Sequence, residues 1–404
     1  MLCLSKKVLE PMREPNIDPI MEWIATCPHE TIGTLATELE KLGIDTSKRL
    51  YRGIMFECDL ETAYRAHLVL HTASRIQLVV SVFDVTDLNS LKLGLKNIDW
   101  THSLRSHYPY AVFPANYDEN LKSLDNETIM KSVVESINAG SFEKNPPAYK
   151  PDAKNPIGLV LFFRDGKCVL GIDTAGRALH KRGWRTNGHP AVLKETLASS
   201  ILMLSGYDGK QVLFDPMCGS GTIVIEAAYM ALNKAPLIHR GKDDFTIEHI
   251  IGFDRPLWRK ISDQLRAKKK AELEFPIYAS DINQKFVDVA RESSLKARVE
   301  KYITFNSSAF QNVTPPSEGG ILIMNLPYGE RIGEGTLHTL YKEVGIAIKE
   351  KFSNWTVSLL VPTSAPIHLL DFKATETYKL KNGALDVLLL VKKVINGQNE
   401  KNLN

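Results

Sequence analysis

Two short loops hold the residue types on which chemistry can be built. The first runs Asp215, Pro216, Met217, Cys218, Gly219, Ser220, Gly221, Thr222, after an apolar stretch and ahead of a helical pattern that continues to Ala231. Glycines in such a turn let the backbone approach a ligand closely, and the helix that follows presents free N–H groups. Three ligand classes compete. A triphosphate loop needs a Lys after its last Gly; Thr222 stands there, which removes ATP and GTP hydrolysis. A dinucleotide fingerprint needs a third Gly where Val224 stands, and an acid about 20 residues on, which is missing. S-adenosylmethionine suits the loop better. Its ammonium and ribose hydroxyls ask for carboxylates, which Asp215 and the next strand-end acid, Asp281, supply, and it brings no phosphates to cradle. Alone, the loop reads equally well as a tight strand-to-helix connection.

The second loop changes that balance. Asn325, Leu326, Pro327, Tyr328, Gly329, Glu330 and Arg331 follow the apolar residues 321–324. An Asn amide oxygen and a backbone carbonyl both accept hydrogen bonds from an exocyclic NH₂, and a Tyr ring stacks on a planar base. Such a grip aims the nitrogen lone pair at a methyl sulfonium, so placement supplies much of the catalysis and no strong general base is needed. The pair of loops predicts direct in-line methyl transfer to an amino nitrogen, with no covalent enzyme intermediate. Cys218, inside the first loop, reads as a packing residue rather than a nucleophile.

These loops need a sheet to hold them. Strands are predicted at 211–215, 277–281, 302–305, 320–325, 355–361, 375–380 and 385–391, with helices over 191–204 and 222–231. The alternation argues a doubly wound α/β domain. No helix fits before the last strand, so the sheet should close on an antiparallel hairpin. Upstream the pattern is α+β. Ile32, Leu35, Leu39 and Leu42 recur at helical spacing up to Gly43, Asp59 caps a helix through 61–65, and strands are expected at 54–56 and 77–83. Asp125 opens a helix over 128–137, the Pro-rich 143–156 reads as a loop or connector, and Asp165-Gly166 turns a hairpin between 157–163 and 168–172.

Composition bounds the rest. With 404 residues, 44% hydrophobic and 24% charged, the chain is globular and long enough for two or three cores. No apolar run approaches the roughly 18 residues of a membrane span, and residues 1–16 lack the apolar core of a secretory signal, so a soluble cytoplasmic protein is expected. Five scattered Cys with no CxxC pair, and no HExxH, give neither a disulfide framework nor a metal site. The net charge of +3 hides an asymmetry: Lys and Arg number 16 against 20 acids in residues 1–150, and 34 against 27 beyond. Residues 180–185 and 266–270 are the basic runs a phosphate backbone would find; the second reads more simply as a solvated face.

Asn325 to Tyr328 resembles the [DNS]-P-P-[YFW] motif of class I S-adenosylmethionine-dependent amino-methyltransferases. The longer string to Arg331 is similar to the NPPYGER of THUMP-containing RNA guanine-N2 methyltransferases. Residues 173–185 resemble that family's DxxGxxLhkRGyR hallmark, 193–198 the helix before its first strand, and 214–222 its cofactor loop. Residues 25–28 and 59–65 look like the ferredoxin-like part of its bacterial large-subunit rRNA members. The resemblance spans about 22–394. It implies a ferredoxin-like domain over 20–75, a THUMP RNA-binding domain over 76–175, and a Rossmann-like methyltransferase domain over 186–395 with a mostly parallel seven-stranded sheet.

The resemblance further implies methylation of a guanine N2, in large-subunit rRNA first, with a tRNA guanine-N2 enzyme and a non-catalytic RNA-binding factor as alternatives. The implied partner is RNA, without membrane or metal, and the implied state a monomer or weak dimer. Asp215, Cys218, Gly219, Gly221, Thr222, Asp281 and Ile282 would hold S-adenosylmethionine, with Leu193 and Thr196 near its methionine end. Asn325, Leu326, Pro327 and Tyr328 would hold the base, Asn325 also bordering the cofactor. Arg182, Trp184, Arg185 and Arg331 would meet RNA, packing between domains being the competing role for the first three. Two departures stand out. Leu326 replaces the usual first Pro, which removes rigidity but no acceptor. Where the family has an Asp after its third strand, accepting from the adenine amine, this chain has Ser308 and Ala309, which predicts weaker cofactor binding.

Overall fold

The computed structural model describes residues 20–116, 118–122, 124–140, 142, 146–186, 193–241, 244–327 and 334–394. Its N-terminal half comprises β1 (Met21–Thr26), α1 (Ile32–Glu40), β2 (Arg49–Leu50), β3 (Gly53–Cys58), α2 (Leu60–Val69), β4 (Arg75–Asp84), α3 (Leu88–Lys96), β5 (Pro109–Asn116), α4 (Asn126–Asn138), β6 (Ala148–Tyr149), β7 (Ile157–Arg164) and β8 (Lys167–Asp173). The helices start where acids cap them: Asp59 accepts from the Thr62 N–H at 2.7 Å and Asp125 from that of Thr128 at 2.7 Å. All eight strands form one sheet, ordered β2-β3-β1-β4-β8-β7-β5-β6. The two units expected on either side of residue 75 therefore share a sheet, with β4 pairing β1 on one edge and β8 on the other. The Pro-rich connector is not purely a loop: Ala148 and Tyr149 pair in parallel with β5.

The second half comprises α5 (Glu195–Leu204), β9 (Leu213–Asp215), α6 (Thr222–Ala231), α7 (Arg255–Ala267), β10 (Ile277–Asp281), α8 (Gln284–Lys296), β11 (Ile303–Ser307), β12 (Gly320–Asn325), α9 (Glu334–Lys351), β13 (Trp355–Pro362), β14 (Glu376–Asn382) and β15 (Leu385–Lys393). The seven strands lie in the order β11-β10-β9-β12-β13-β15-β14. β15 runs antiparallel to both its neighbours, the hairpin closure the sequence demanded. Strand order reverses between β9 and β12, so a crevice opens at their carboxyl ends, where ligands bind in open α/β sheets. The helix predicted from 191 is described from Glu195; residues 191 and 192 lie outside the described residues.

Apolar clusters cover the two faces of this sheet, one around Leu197, Ile201 and Val224, the other around Tyr341, Phe352 and Trp355. A third core fills the N-terminal half, and it recruits Leu237, Phe245, Ile247 and Ile261 from the long connection between α6 and β10. Each such buried side chain contributes about 1.5–3 kcal/mol. The halves are thus stapled by a segment of the second packing into the first. Among the described residues no helix is long and apolar enough to cross a membrane.

Candidate active site

At the carboxyl end of β9, Asp215 is 1% exposed and accepts from the Met217 N–H at 3.2 Å. The chain then turns through Gly219 and Gly221, both with positive φ (51° and 78°). A Cβ on Gly221 would lie 2.9 Å from that of Ala290, so α8 packs against the loop too closely for any side chain there. Asp281, at the end of β10, fastens the turn from the other side. Its Oδ2 accepts from the Gly219 N–H at 3.1 Å and its Oδ1 from the Asn283 N–H at 2.9 Å. Each oxygen keeps a lone pair for a ligand.

Between these acids and the end of β12 lies a cleft of about 750 Å³. Three acidic side chains line it, Asp215, Asp281 and Glu343, and its described lining contains no Lys, Arg or His. Burial, with the Asp281 charge adding to it, pushes the Asp215 carboxyl up to about 8. Burial and then the Asp215 and Asp281 charges raise the Cys218 thiol well above its ordinary value, so it is no thiolate nucleophile. A polyphosphate would be repelled here, and a cation is what the cleft lacks. The residues fit S-adenosylmethionine: its sulfonium and ammonium complement the acids, its hydroxyls can donate to Asp281, and Ile282, Phe286 and Phe310 offer apolar faces to a planar base.

Leu193, Asp215, Cys218, Gly219, Thr222, Asp281, Ile282, Ala309, Asn325, Leu326 and Pro327, all singled out from sequence, line this cleft. Gly221 sits behind it as the left-handed residue from which α6 starts. Ser308 is turned away: its N–H donates to the Asp281 carbonyl at 3.1 Å and its hydroxyl to that of Ala309 at 3.2 Å. Thr196 is a correction. It faces a different cleft, because the chain turns into α5 between it and Leu193. Tyr328 and Arg331 lie outside the described residues.

The RNA assignments of Arg182 and Trp184 are also corrected. The Arg182 side chain is fully buried, donating to both oxygens of an equally buried Glu226 (3.2 and 3.3 Å) and to the carbonyls of Leu179 and His71. Trp184 is 2% exposed, inside the core beside α5. Arg185 braces the cleft wall, bonding Glu195 at 3.1 Å and the Leu193 carbonyl at 2.9 Å. Leu326 shows what the Pro-to-Leu change brings. Its N–H donates to the Leu360 carbonyl at 3.0 Å, a bond Pro cannot make, and its side chain is wholly in the core. The strand end is anchored by that bond instead of by a ring.

One wall was not foreseen. Thr336, Thr339, Leu340 and Glu343 of α9 line the cleft, and Gln311 bonds Glu343. Their spacing, i, i+3, i+4, i+7, is a single helical face, legible once α9 is known to follow the base-binding loop.

Comparison with known proteins agrees with this geometry. Residues 182–390 match a family described as RMKL-like, methyltransferase domain, and residues 22–77 match the RlmL ferredoxin-like domain. The chain is 33% identical over 378 residues to a protein of Vibrio campbellii named ribosomal RNA large subunit methyltransferase K/L, covering 90% of this chain and 52% of that protein. It spans about half the length of the curated relatives it matches. Among solved structures, a possible methylase from Clostridium difficile 630 superposes with a TM-score of 0.85 at 28% identity, covering 94% of this chain and 99% of that one. SMU.472, a methyltransferase candidate solved as a complex with SAH, gives 0.83 at 25% identity, covering 94% and 100%.

Proposed function

The chain belongs to the RMKL-like methyltransferase-domain family, and from that premise we propose that it methylates the exocyclic N2 of a guanine in large-subunit ribosomal RNA, using S-adenosylmethionine, in the cytoplasm. The observation that carries the reading is the cleft itself: three acidic side chains and, among the described lining residues, no cation, running to the amide of Asn325. The likeness to relatives named for large-subunit rRNA favours that RNA. Residues 20–75 then form the ferredoxin-like part, 76–175 the THUMP module that grips RNA, and 186–395 the catalytic domain.

When bound, the cofactor supplies an electrophilic methyl group on a sulfonium. The protein's part is placement. Asp281 holds the hydroxyls while its backbone partners keep the loop shut behind them. The Asn325 amide oxygen and the Leu326 carbonyl accept the two amino hydrogens of the guanine, which turns the nitrogen lone pair toward the methyl and draws density onto nitrogen. Tyr328 stacks on the base. A guanine in a duplex must leave its stack first, at about a few kcal/mol, and least where it is already unpaired.

Replacing Asp281 by Ala orphans two backbone N–H groups and removes the hydroxyl acceptor. Calorimetry should show S-adenosylmethionine affinity falling at least about tenfold, since bonds to a charged group are worth about 1.5–3 kcal/mol. Asn325→Ala should bind the cofactor normally yet transfer no methyl to protein-free large-subunit rRNA. Unchanged affinity in the first variant, or retained transfer in the second, contradicts these roles. A chain that binds RNA but no cofactor is instead the non-catalytic factor that the turned-away Ser308 would suggest.

A further inference from the structure

Back to back with the cofactor cleft is a second one, of about 380 Å³. Leu193 faces the first, while Lys194 and Thr196 face the second. Its other walls come from the ferredoxin-like part at residues 28–31 and 51–52, and from the turn between β14 and β15 at Lys381 and Gly383. With Thr72, Ser74 and His180 it joins six segments of the chain, and its chemistry is opposite to that of its neighbour.

Arg52, Lys194 and Lys381 line it against one carboxylate, Glu30. Among the described residues Arg52 and Lys194 have no ion-pair partner. Lys381 is 3.2 Å from Asp386, but both side chains are more than half exposed, so the pair is weak and exchangeable. His180 at the back is held neutral, its pKa pushed down to about 4 by burial and by the charges of Lys194, Lys181, Arg182 and Arg185. An anion would find a net positive field here, three cations against the single Glu30 carboxylate.

Beside the cations stands an aromatic platform. The rings of His29 and Tyr51 stack with centroids 4.9 Å apart and 16° between planes, and Tyr51 is 55% exposed. The His29 Nδ1 hydrogen bond to the Tyr51 carbonyl, at 2.9 Å, fixes the pair. Packing does not require it, for the rings lie outside every buried core. A fixed, solvent-facing ring beside unpaired cations is how proteins hold single-stranded nucleic acid, base on the ring and phosphates on the charges.

We propose that this second cleft holds a single-stranded stretch of the RNA substrate, with Arg52, Lys194 and Lys381 on its phosphates and the Tyr51–His29 pair under a base. The inference rests on the reading of this chain as an RNA methyltransferase. Because consecutive residues, Leu193 and Lys194, line the one cleft and the other, the stretch so held lies near the target nucleotide. It assigns part of substrate recognition to the ferredoxin-like part and to the β14–β15 turn.

The test uses the full chain with a short fluorescein-labelled oligouridylate and with protein-free large-subunit rRNA. Tyr51→Ala should weaken oligouridylate binding about tenfold with the salt dependence unchanged. The double variant Arg52→Gln/Lys194→Gln should flatten the slope of log affinity against log salt by roughly 0.7 for each lost phosphate contact. Each should raise KM for rRNA while kcat and SAH affinity stay at the parent values, the latter showing that fold and cofactor cleft are intact. If the parent methylates rRNA but these variants keep its oligouridylate affinity, salt slope and KM, the second cleft is not the RNA site and the proposed function stands without it. If the parent neither binds nor methylates RNA, both readings fall.

Discussion

Asp215 is the residue whose protonation the fold controls most directly. Its folded pKa of about 8 lies above the ordinary 3.8, so at neutral pH it is mainly protonated in the free protein. A cation in the cleft favours the carboxylate, and binding below pH 8 must therefore release a proton. S-adenosylmethionine affinity should rise with pH up to about 8, by no more than tenfold per unit. Calorimetry in buffers of differing ionisation enthalpy should read the released proton, and Asp215→Asn should abolish it. A pH-independent affinity in the parent would mean that the cation does not sit against Asp215. The same raised pKa contributes stability that is fully present below 3.8 and lost as pH rises toward 8, a loss a bound cation should recover.

Among the elements, α9 decides the shape of the cleft, because one of its faces is the wall. Its position is fixed from behind at Gly345, where a Cβ would lie 2.0 Å from the Leu370 carbonyl oxygen. Backbone on both sides leaves no flexible side chain to yield. Gly345→Ala should destabilise the protein by about 1–3 kcal/mol, as overpacking does, and should weaken cofactor binding by moving Glu343 and Thr339. Gly335 on the same helix has nothing within 4 Å, so Gly335→Ala should leave both within about 1 kcal/mol. Urea unfolding with SAH titration of the pair checks this. Equal effects at the two glycines would mean that helix propensity, not the close approach to Leu370, governs α9.

For the whole molecule the decisive contacts lie between the halves. Burial would raise the Glu226 carboxyl, but the Arg182 charge and the His71 contact override it and hold it near 2. Ser199 donates to the same carboxylate at 2.7 Å, so Glu226 ties α5 and α6 to Arg182, which in turn donates to the carbonyl of His71, just beyond α2. Arg182→Ala strands that charge and should cost about 3–5 kcal/mol in urea unfolding; a loss under about 1 kcal/mol would show that the pair does not hold the halves. His67 is one of the histidines, with His180 and His239, that burial pushes down to about 4. Buried between Trp23, Phe245 and Trp258, with hydrogen bonds to the Ala63 carbonyl and Thr174, it is pushed from 6.5 down to about 4 by burial. The unfolded chain takes up its proton first, so the contribution of His67 should fall as pH drops from 6.5 to 4, by up to about 3 kcal/mol, against the opposite contribution of Asp215. The difference in stability between His67→Gln and the parent should therefore change by that amount between pH 6.5 and 4, and a difference independent of pH would assign the titration to other groups.

Much of the catalytic half was open to reading from the chain alone, because its signals are local. An apolar run ending in Asp215 and Gly219-Ser220-Gly221 marks a strand turning into a helix, the second loop makes it a ligand site, and a last strand with no room for a helix before it must close as a hairpin. Asn325 to Tyr328 declared its chemistry by residue type. What the chain could not announce was contact across distance. Arg182 and Trp184 carry the look of RNA ligands, yet Arg182 is spent on Glu226 and on the His71 carbonyl of the first half, and Trp184 on the core of the second. Thr196 stands three residues from Leu193 and faces another cleft, since one turn of backbone reverses which side a residue serves. Glu343 lines the cofactor cleft from a helix whose docking no local pattern specifies. Sequence determined the chemistry available, through residue types and short spacings; tertiary packing decided which of those groups face a ligand, because exposure and charge balance are set by neighbours such as Glu226 and His71, 44 and 111 positions from Arg182.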